Sequence, residues 1–169
     1  SSTQTITASV GNFTACVNET ITVPVEVTNF NDVSAFSLTL AYDTTVLMFS
    51  GFSANTAVQN SLIVNGIGNE VRASWFAINP VSIGNATLLN LQFTARVTGQ
   101  SSLSWDLATQ GANEFADFNG DVILANFING SIDVNAAPPA ITQQPVSQTV
   151  LEGSTANFSV TATGATAYQ

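Results

Sequence analysis

The chain has 169 residues, 45% of them apolar and only 8% charged, with eleven Asp and Glu against two Arg, no Lys and no His, for a formal charge of −9. Without His and with a single Cys it cannot assemble a Ser-His-Asp or Cys-His catalytic unit, or a zinc site of the usual Cys/His kind. The acidic balance excludes nucleic acid, which needs Lys and Arg to displace counterions, and no apolar run approaches the roughly 20 residues of a membrane helix, so no direct membrane insertion is expected.

Apolar residues alternate with period two along almost the whole chain, and no stripe of period 3.6 stands out, which predicts an all-β protein. From Thr20 to Thr28, Ile21, Val23, Val25 and Val27 point one way, and Thr20, Thr22, Pro24, Glu26 and Thr28 the other. Pro24 has no N–H, so this strand lies at a sheet edge or carries a bulge there. Ser34 to Tyr42 repeats the pattern, with Phe36, Leu38, Leu40 and Tyr42 as core candidates and Ala35, Ser37, Thr39 and Ala41 as a small, uncharged outward face. After a turn at Asp43–Thr45 comes Val46–Phe49. Leu62–Val64 then joins Glu70 to Ile78 through a hairpin connection, Asn65–Asn69, whose two Gly permit positive φ. Leu89, Leu91, Phe93, Ala95 and Val97 line one face of the next strand, and Leu103, Trp105 and Leu107 one face of the strand after it. Glu114–Phe118 pairs with Asp121–Ala125 across Asn119-Gly120, and Phe127 to Val134 closes the unit. About nine short strands with turn signals every ~8–12 residues predict a two-sheet antiparallel β-sandwich over residues 1–135.

The composition then breaks at Asn135-Ala136-Ala137-Pro138-Pro139-Ala140, so residues 136–140 are expected to be an extended linker. Residues 141–169 hold two or three short strands, such as Gln148–Leu151 and Ala156–Ala162, too few to bury a core alone.

Among candidate sites, Trp75 and Phe76 are strand neighbours whose side chains point to opposite faces. With Val71, Ala73 and Trp75 inward, Arg72, Ser74, Phe76 and Ile78 form an outward patch. Either a loop such as Asn79–Asn85 covers it, or it is a recognition surface, since aromatic and Arg side chains dominate interface hot spots and flat rings also stack on sugars. Asp117, Asn119 and Asp121 resemble part of a calcium loop, but Asn-Gly between apolar segments is more economically a hairpin turn, and the bidentate Glu of a full loop is missing. No cofactor is expected. Cys16 has no second Cys to pair with inside the chain and is expected to be an inert thiol or to pair elsewhere. Most carboxylates fall in turns or outward positions, and no spacing singles out a catalytic pair. Five sequon matches, at Asn12, Asn18, Asn85, Asn129 and Asn157, are expected by chance in so Asn-, Ser- and Thr-rich a chain, and no glycan is assigned.

From about Ile6 to Val134, "TITVPVEVTNF", "AFSLTLAYDTTVLMFSGF", "ATLLNLQFTARVTG" and "FINGSIDV" resemble a bacterial cohesin module in order and spacing. The most telling piece is a hydrophobic strand ending in Tyr42-Asp43, with Val46-Leu47 and Phe49 just before Gly51. The resemblance implies a jelly-roll sandwich and a non-catalytic role: binding dockerin partners, with the calcium carried by the dockerin, in secreted or cell-surface complexes. It also implies a contact face on one outward sheet surface, where cellulosomal cohesins carry an Asn and an Asp at the positions of Ala35 and Ser37. Loss of both polar anchors puts the cellulosomal binding mode in question. The expected role is therefore a binding or scaffolding module of a larger secreted or surface protein, working through Ala35, Ser37, Thr39, Arg72, Phe76 and Ile78. A carbohydrate-binding module and a structural spacer in an adhesin or fibre are the alternatives. The tail "PAITQQPVSQTVLEGSTANFSVTATGATAYQ" resembles the opening strands of a bacterial immunoglobulin-like domain, and is expected to be poorly ordered or to pair edge to edge with another chain.

Overall fold

The computed structural model describes residues 4–165 and 167, and all its regular elements are strands. It divides into two units, one ending at Asn135 and one starting at Ala136. The first holds β1 (Thr5–Ser9), β2 (Asn12–Cys16), β3 (Thr20–Phe30), β4 (Val33–Ala41), β5 (Leu47–Ala54), β6 (Ile63–Ile67), β7 (Glu70–Val81), β8 (Gly84–Ala95), β9 (Gly99–Trp105), β10 (Glu114–Ala116), β11 (Val122–Ile128) and β12 (Gly130–Asn135). One layer runs β5-β8-β3-β1-β11. The other runs β6-β7-β4, with β10 and β9 sharing the far side of β4, and continues from β9 to β12 and β2. This is the expected β-sandwich, with the β10–β11 pair hydrogen-bonding one layer to the other.

Period-two alternation builds the core. Val23, Val25 and Val27 of β3, Phe36, Leu38 and Leu40 of β4, and Leu91, Phe93 and Ala95 of β8 all join one buried cluster. Register aligns Phe115, Phe36 and Trp75 across β10, β4 and β7. Their ring centroids are 6.1 and 5.4 Å apart, and Phe30 and Phe127 close on Phe115 at 5.8 and 6.0 Å. Pairs of this kind add about 0.5–1.5 kcal/mol each beyond the buried area. Pro24 fits both of its expected settings: β1 covers only Glu26–Thr28 on the side of β3 away from β8, and the register shifts between Val25 and Glu26.

The first and last strands cross between the layers together. β1 lies parallel to β11 and β2 parallel to β12, and the two segments switch layers at Val10-Gly11 and Asn129-Gly130. Val10 N–H donates to the Ile128 carbonyl and Ser131 N–H to the Gly11 carbonyl, each at 3.2 Å. A Cβ on Gly130 would lie 2.1 Å from the Gly11 oxygen, so only glycine fits at the crossing.

Several expectations change in detail. Among the described residues the first unit has twelve strands in place of about nine, partly because residues 5–16 fold as two. The closing strand does not run unbroken from Phe127: Phe127 belongs to β11, and the break falls at Asn129, whose Oδ1 accepts the Trp105 N–H at 2.9 Å. Val97 and Leu107 are 55% and 66% exposed because their strands end first, at Ala95 and Trp105. The β6–β7 connection is only Gly68-Asn69, with Gly68 at φ +61°. Gly66 lies within β6, where a Cβ would come 2.9 Å from the Phe49 ring; close approach, not positive φ, requires it. Phe118 sits outside β10, 65% exposed in the turn.

Among its described residues the second unit holds one two-stranded ladder, β13 (Ala140–Gln143) with β14 (Thr161–Thr163). Ala140, placed in the linker by composition, is thus a strand residue, and neither Gln148–Leu151 nor Ala156–Val160 is a strand. The Gln148 side chain brackets Asn157 instead, accepting its N–H and donating to its carbonyl, so side-chain bonds stand where ladder bonds were expected. Tyr168 and Gln169, part of the immunoglobulin-like resemblance, lie outside the described residues.

Candidate binding face

The outward surface of β10-β4-β7-β6 gathers most of the residues singled out from sequence. Register sets them in rows. Ala116, Ala35 and Phe76 form one; Glu114, Ser37, Ser74 and Ile63 the next; Thr39, Arg72 and Asn65 a third; Ala41, Glu70 and Ile67 a fourth. Phe76 is 64% exposed and Ile78 80%, and the connection after β7 is only Ser82-Ile83, so no loop over 79–85 covers them. Ile78 lies beyond the Ala35–Phe76 row, past the register shift in β4. Arg72 donates through Nε and Nη2 to Glu70 Oε2 at 2.8 and 2.7 Å, an exposed pair that contributes at most about 1 kcal/mol.

Thr39 departs from expectation: it is 7% exposed, not open on the face. β10 pairs with β4 only at Ala35–Ser37 and β9 only at Leu40–Ala41, which leaves Thr39 facing a gap in the ladder. The Asn113 side chain fills the gap. Its Oδ1 accepts the Thr39 N–H at 2.8 Å, and its Nδ2 donates to the carbonyls of Thr39 at 3.0 Å and Asp106 at 2.8 Å. An amide side chain thus substitutes for a strand residue and pins the 106–113 loop against the face. Asp106 Oδ1 accepts the Ala108 and Thr109 N–H groups at 3.0 and 3.1 Å, shaping the start of that loop. The Thr109 hydroxyl, then its amide, holds the Asp106 carboxyl below its ordinary value, with the nearby Arg72 charge adding to the effect.

Loop and strands enclose two adjoining hollows. The larger, 440 Å³, lies between the 106–112 loop and the row of Thr39, Arg72 and Asn65. The smaller, 290 Å³, has a floor of Ala35, Ser37, Ser74 and Ala116, with Phe76, Ile63 and Glu114 around it. Sequence reasoning missed Glu70, Asp106, Asn113 and Glu114, all of which help to shape this face. The face is therefore not uncharged, as the β4 pattern alone suggested.

The remaining candidates lie elsewhere. Asp117 Oδ1 accepts the N–H groups of Asn119 at 2.8 Å and Asp121 at 3.0 Å, and Gly120 takes φ +83°. This is the geometry of a side-chain-supported hairpin turn. No group of three His, Cys, Asp or Glu that could hold a metal occurs among the described residues. Cys16 is partly buried at the end of β2, its N–H bonded to Glu19 Oε2 at 2.7 Å. Tyr42, Trp75 and Trp105 are buried, so the exposed aromatics among the described residues are Phe alone and scattered: Phe52 of β5, Phe76 of β7 and Phe118 of the β10–β11 turn in the first unit, and Phe158 in the second.

A jelly-roll sandwich with one hollowed outer face defines the class of module, and the comparisons give its family. The cohesin-domain profile matches residues 6–134, and the chain belongs to the cohesin family. Cellulose-binding protein A of Clostridium cellulovorans is 27% identical over 166 residues, 94% of this chain; the chain spans 9% of that protein's length. The cohesin CaCohA2, solved in complex with a variant of CaDoc0917, superposes with a TM-score of 0.69 at 25% identity, over 77% of this chain and 99% of that one. A non-cellulosomal cohesin from the archaeon Archaeoglobus fulgidus superposes with a TM-score of 0.67 at 23% identity, over 78% of this chain and 92% of that one.

Proposed function

We propose that this chain is a non-catalytic recognition module that seats a dockerin partner on the outward β10-β4-β7-β6 face, within a larger secreted or cell-surface protein. The observation that carries the reading is the face itself. Four strands in continuous register present exposed Phe76, Ile63 and Arg72 around two adjoining hollows, on a fold whose relative CaCohA2 is solved bound to such a partner. Exposed aromatic and Arg side chains beside small residues are the usual makings of an interface hot spot. Polysaccharide is less well supported, because stacking platforms use exposed Trp and Tyr, and Tyr42, Trp75 and Trp105 are core residues here.

The test is calorimetric titration of the purified chain with CaDoc0917 and a panel of other dockerins in calcium, repeated with Ser74→Trp. Ser74 stands exposed between Ser37 and Ile63, so a bulky replacement obstructs the face without touching the core. Saturable binding weakened at least about tenfold by Ser74→Trp is expected for an anchor blocked at a hot spot. No binding to any dockerin, or binding indifferent to Ser74→Trp, would rule the reading out.

A further inference from the structure

The smaller hollow has a composition that specifies its occupant further. Its floor is small and uncharged, made by Ala35, Ala116, Ser37 and Ser74, because register places these short side chains side by side on β10, β4 and β7. Phe76 and Ile63, 64% and 59% exposed, stand above that floor on β7 and β6. Among the described residues the one charge lining the hollow is Glu114. Its carboxylate lies beside Gly111, about 4 Å from where a Cβ would stand, at the seam between the two hollows. Among the described residues this carboxylate has no hydrogen bond and no ion pair, whereas Glu70, the next acid on the face, is neutralised by Arg72.

We propose that the hollow is a subsite for one long cationic side chain, arginine or lysine, of the protein partner; this rests on the reading of the face as the docking surface. The alkyl stem packs over Ala35 and Ala116, beside Phe76, as long basic side chains do on apolar ground. The charged head reaches Glu114, giving the unpaired carboxylate a charge-assisted partner, and passes the Phe76 ring, which attracts a cation electrostatically. A neutral apolar side chain would fill the same space but leave Glu114 losing water without a partner, which costs affinity. An acidic one would meet Glu114 as a like charge. The formal charge of −9 also draws basic partners toward the molecule.

The experiment needs no dockerin. Acetylated, amidated tripeptides Ala-Arg-Ala, Ala-norleucine-Ala and Ala-Glu-Ala are titrated into ¹⁵N-labelled protein, and amide shifts are followed at Ala35, Ser74, Phe76, Glu114 and Ala116. The arginine peptide is expected to give saturable shifts confined to these residues, the norleucine peptide to bind about three- to fivefold more weakly, and the glutamate peptide not to bind. Glu114→Gln, which keeps the side chain's shape outside the core, should reduce arginine binding to the norleucine level with the rest of the spectrum unchanged, and Phe76→Ala should weaken both. Equal binding of the arginine and norleucine peptides, or no saturable shift at these residues, would overturn the proposal. Because the peptides are not dockerins, failure of the dockerin titration and failure of this subsite are separate results.

Discussion

Replacing Asn113 by Ala removes three hydrogen bonds at once: from the Thr39 N–H, and to the carbonyls of Thr39 and Asp106. A single such bond contributes a net of about 0.5–1.5 kcal/mol, so the sum spans about 1.5–4.5 kcal/mol. Thr39 is 7% exposed, so water cannot readily take over its N–H, while its carbonyl keeps the Asp106 N–H at 3.1 Å, which places the cost in the middle of that range, about 3 kcal/mol. Against a usual total of about 5–15 kcal/mol this is a large loss, yet one that should leave the chain folded. Asn113→Asp keeps the acceptor, loses both donors and turns a negative charge toward two carbonyl oxygens, so it should be no better tolerated. Urea unfolding gives the free energies, from the shift in midpoint at constant slope. Hydrogen exchange at the Thr39 amide reports the local event, and its protection should fall in both variants. A cost below about 1 kcal/mol with the Thr39 amide still protected would refute the account of Asn113 as a substitute strand residue.

Gly130→Ala forces a methyl group to within 2.1 Å of the Gly11 oxygen and should cost about 3 kcal/mol or more in urea unfolding; Gly68→Ala, with open space around it, should cost only the ~1–2 kcal/mol of a left-handed backbone. Similar values for the two would show the crossing to be looser than described. Phe115→Ala, at a fully buried ring touching Phe30, Phe36 and Phe127, should cost about 3–5 kcal/mol by the same measurement, and a value near 1 would contradict the packing. The Asp43 carboxyl is held below its ordinary value of 3.8, first by the Thr45 hydroxyl and then by the Thr45 amide. A lowered folded value means that the stabilisation is complete above the ordinary value and is lost as pH falls through the folded one. Asp43→Asn should therefore flatten the acid limb of stability against pH below 3.8 and leave the neutral range parallel to wild type; curves parallel throughout would contradict this.

Local alternation carried the core because each strand has one dry face: Val23, Val25, Val27, Phe36, Leu38 and Leu40 are all buried as their spacing predicts. The same rule failed where a strand stops. Beyond Ala95 and Trp105 the pattern continues to Val97 and Leu107, but the backbone has left the ladder; the Arg96 N–H already bonds to the Val46 carbonyl, and Asp106 begins a turn. The binding face was half legible. Residues on β4 and β7 follow from period two, whereas Asn113 reaches Thr39 across 74 positions, and Glu114 comes to lie beside Ser37 only through the β10–β4 pairing. Burial of Thr39 and the charge on the face depend on those distant partners, and nothing local encodes them.

The parallel runs of β1 beside β11 and β2 beside β12 also govern how the module bears tension. Thr5 begins the first of these strands and Asn135 ends the last, at opposite ends of the parallel track. A tug on the two flanks slides the strands lengthwise past each other, loading the whole seam in shear instead of unzipping it bond by bond. Stretching single molecules from both flanks should give one abrupt, high-force rupture, reached at lower force in Gly130→Ala. Gradual extension at low force would show that the seam does not act as a clamp.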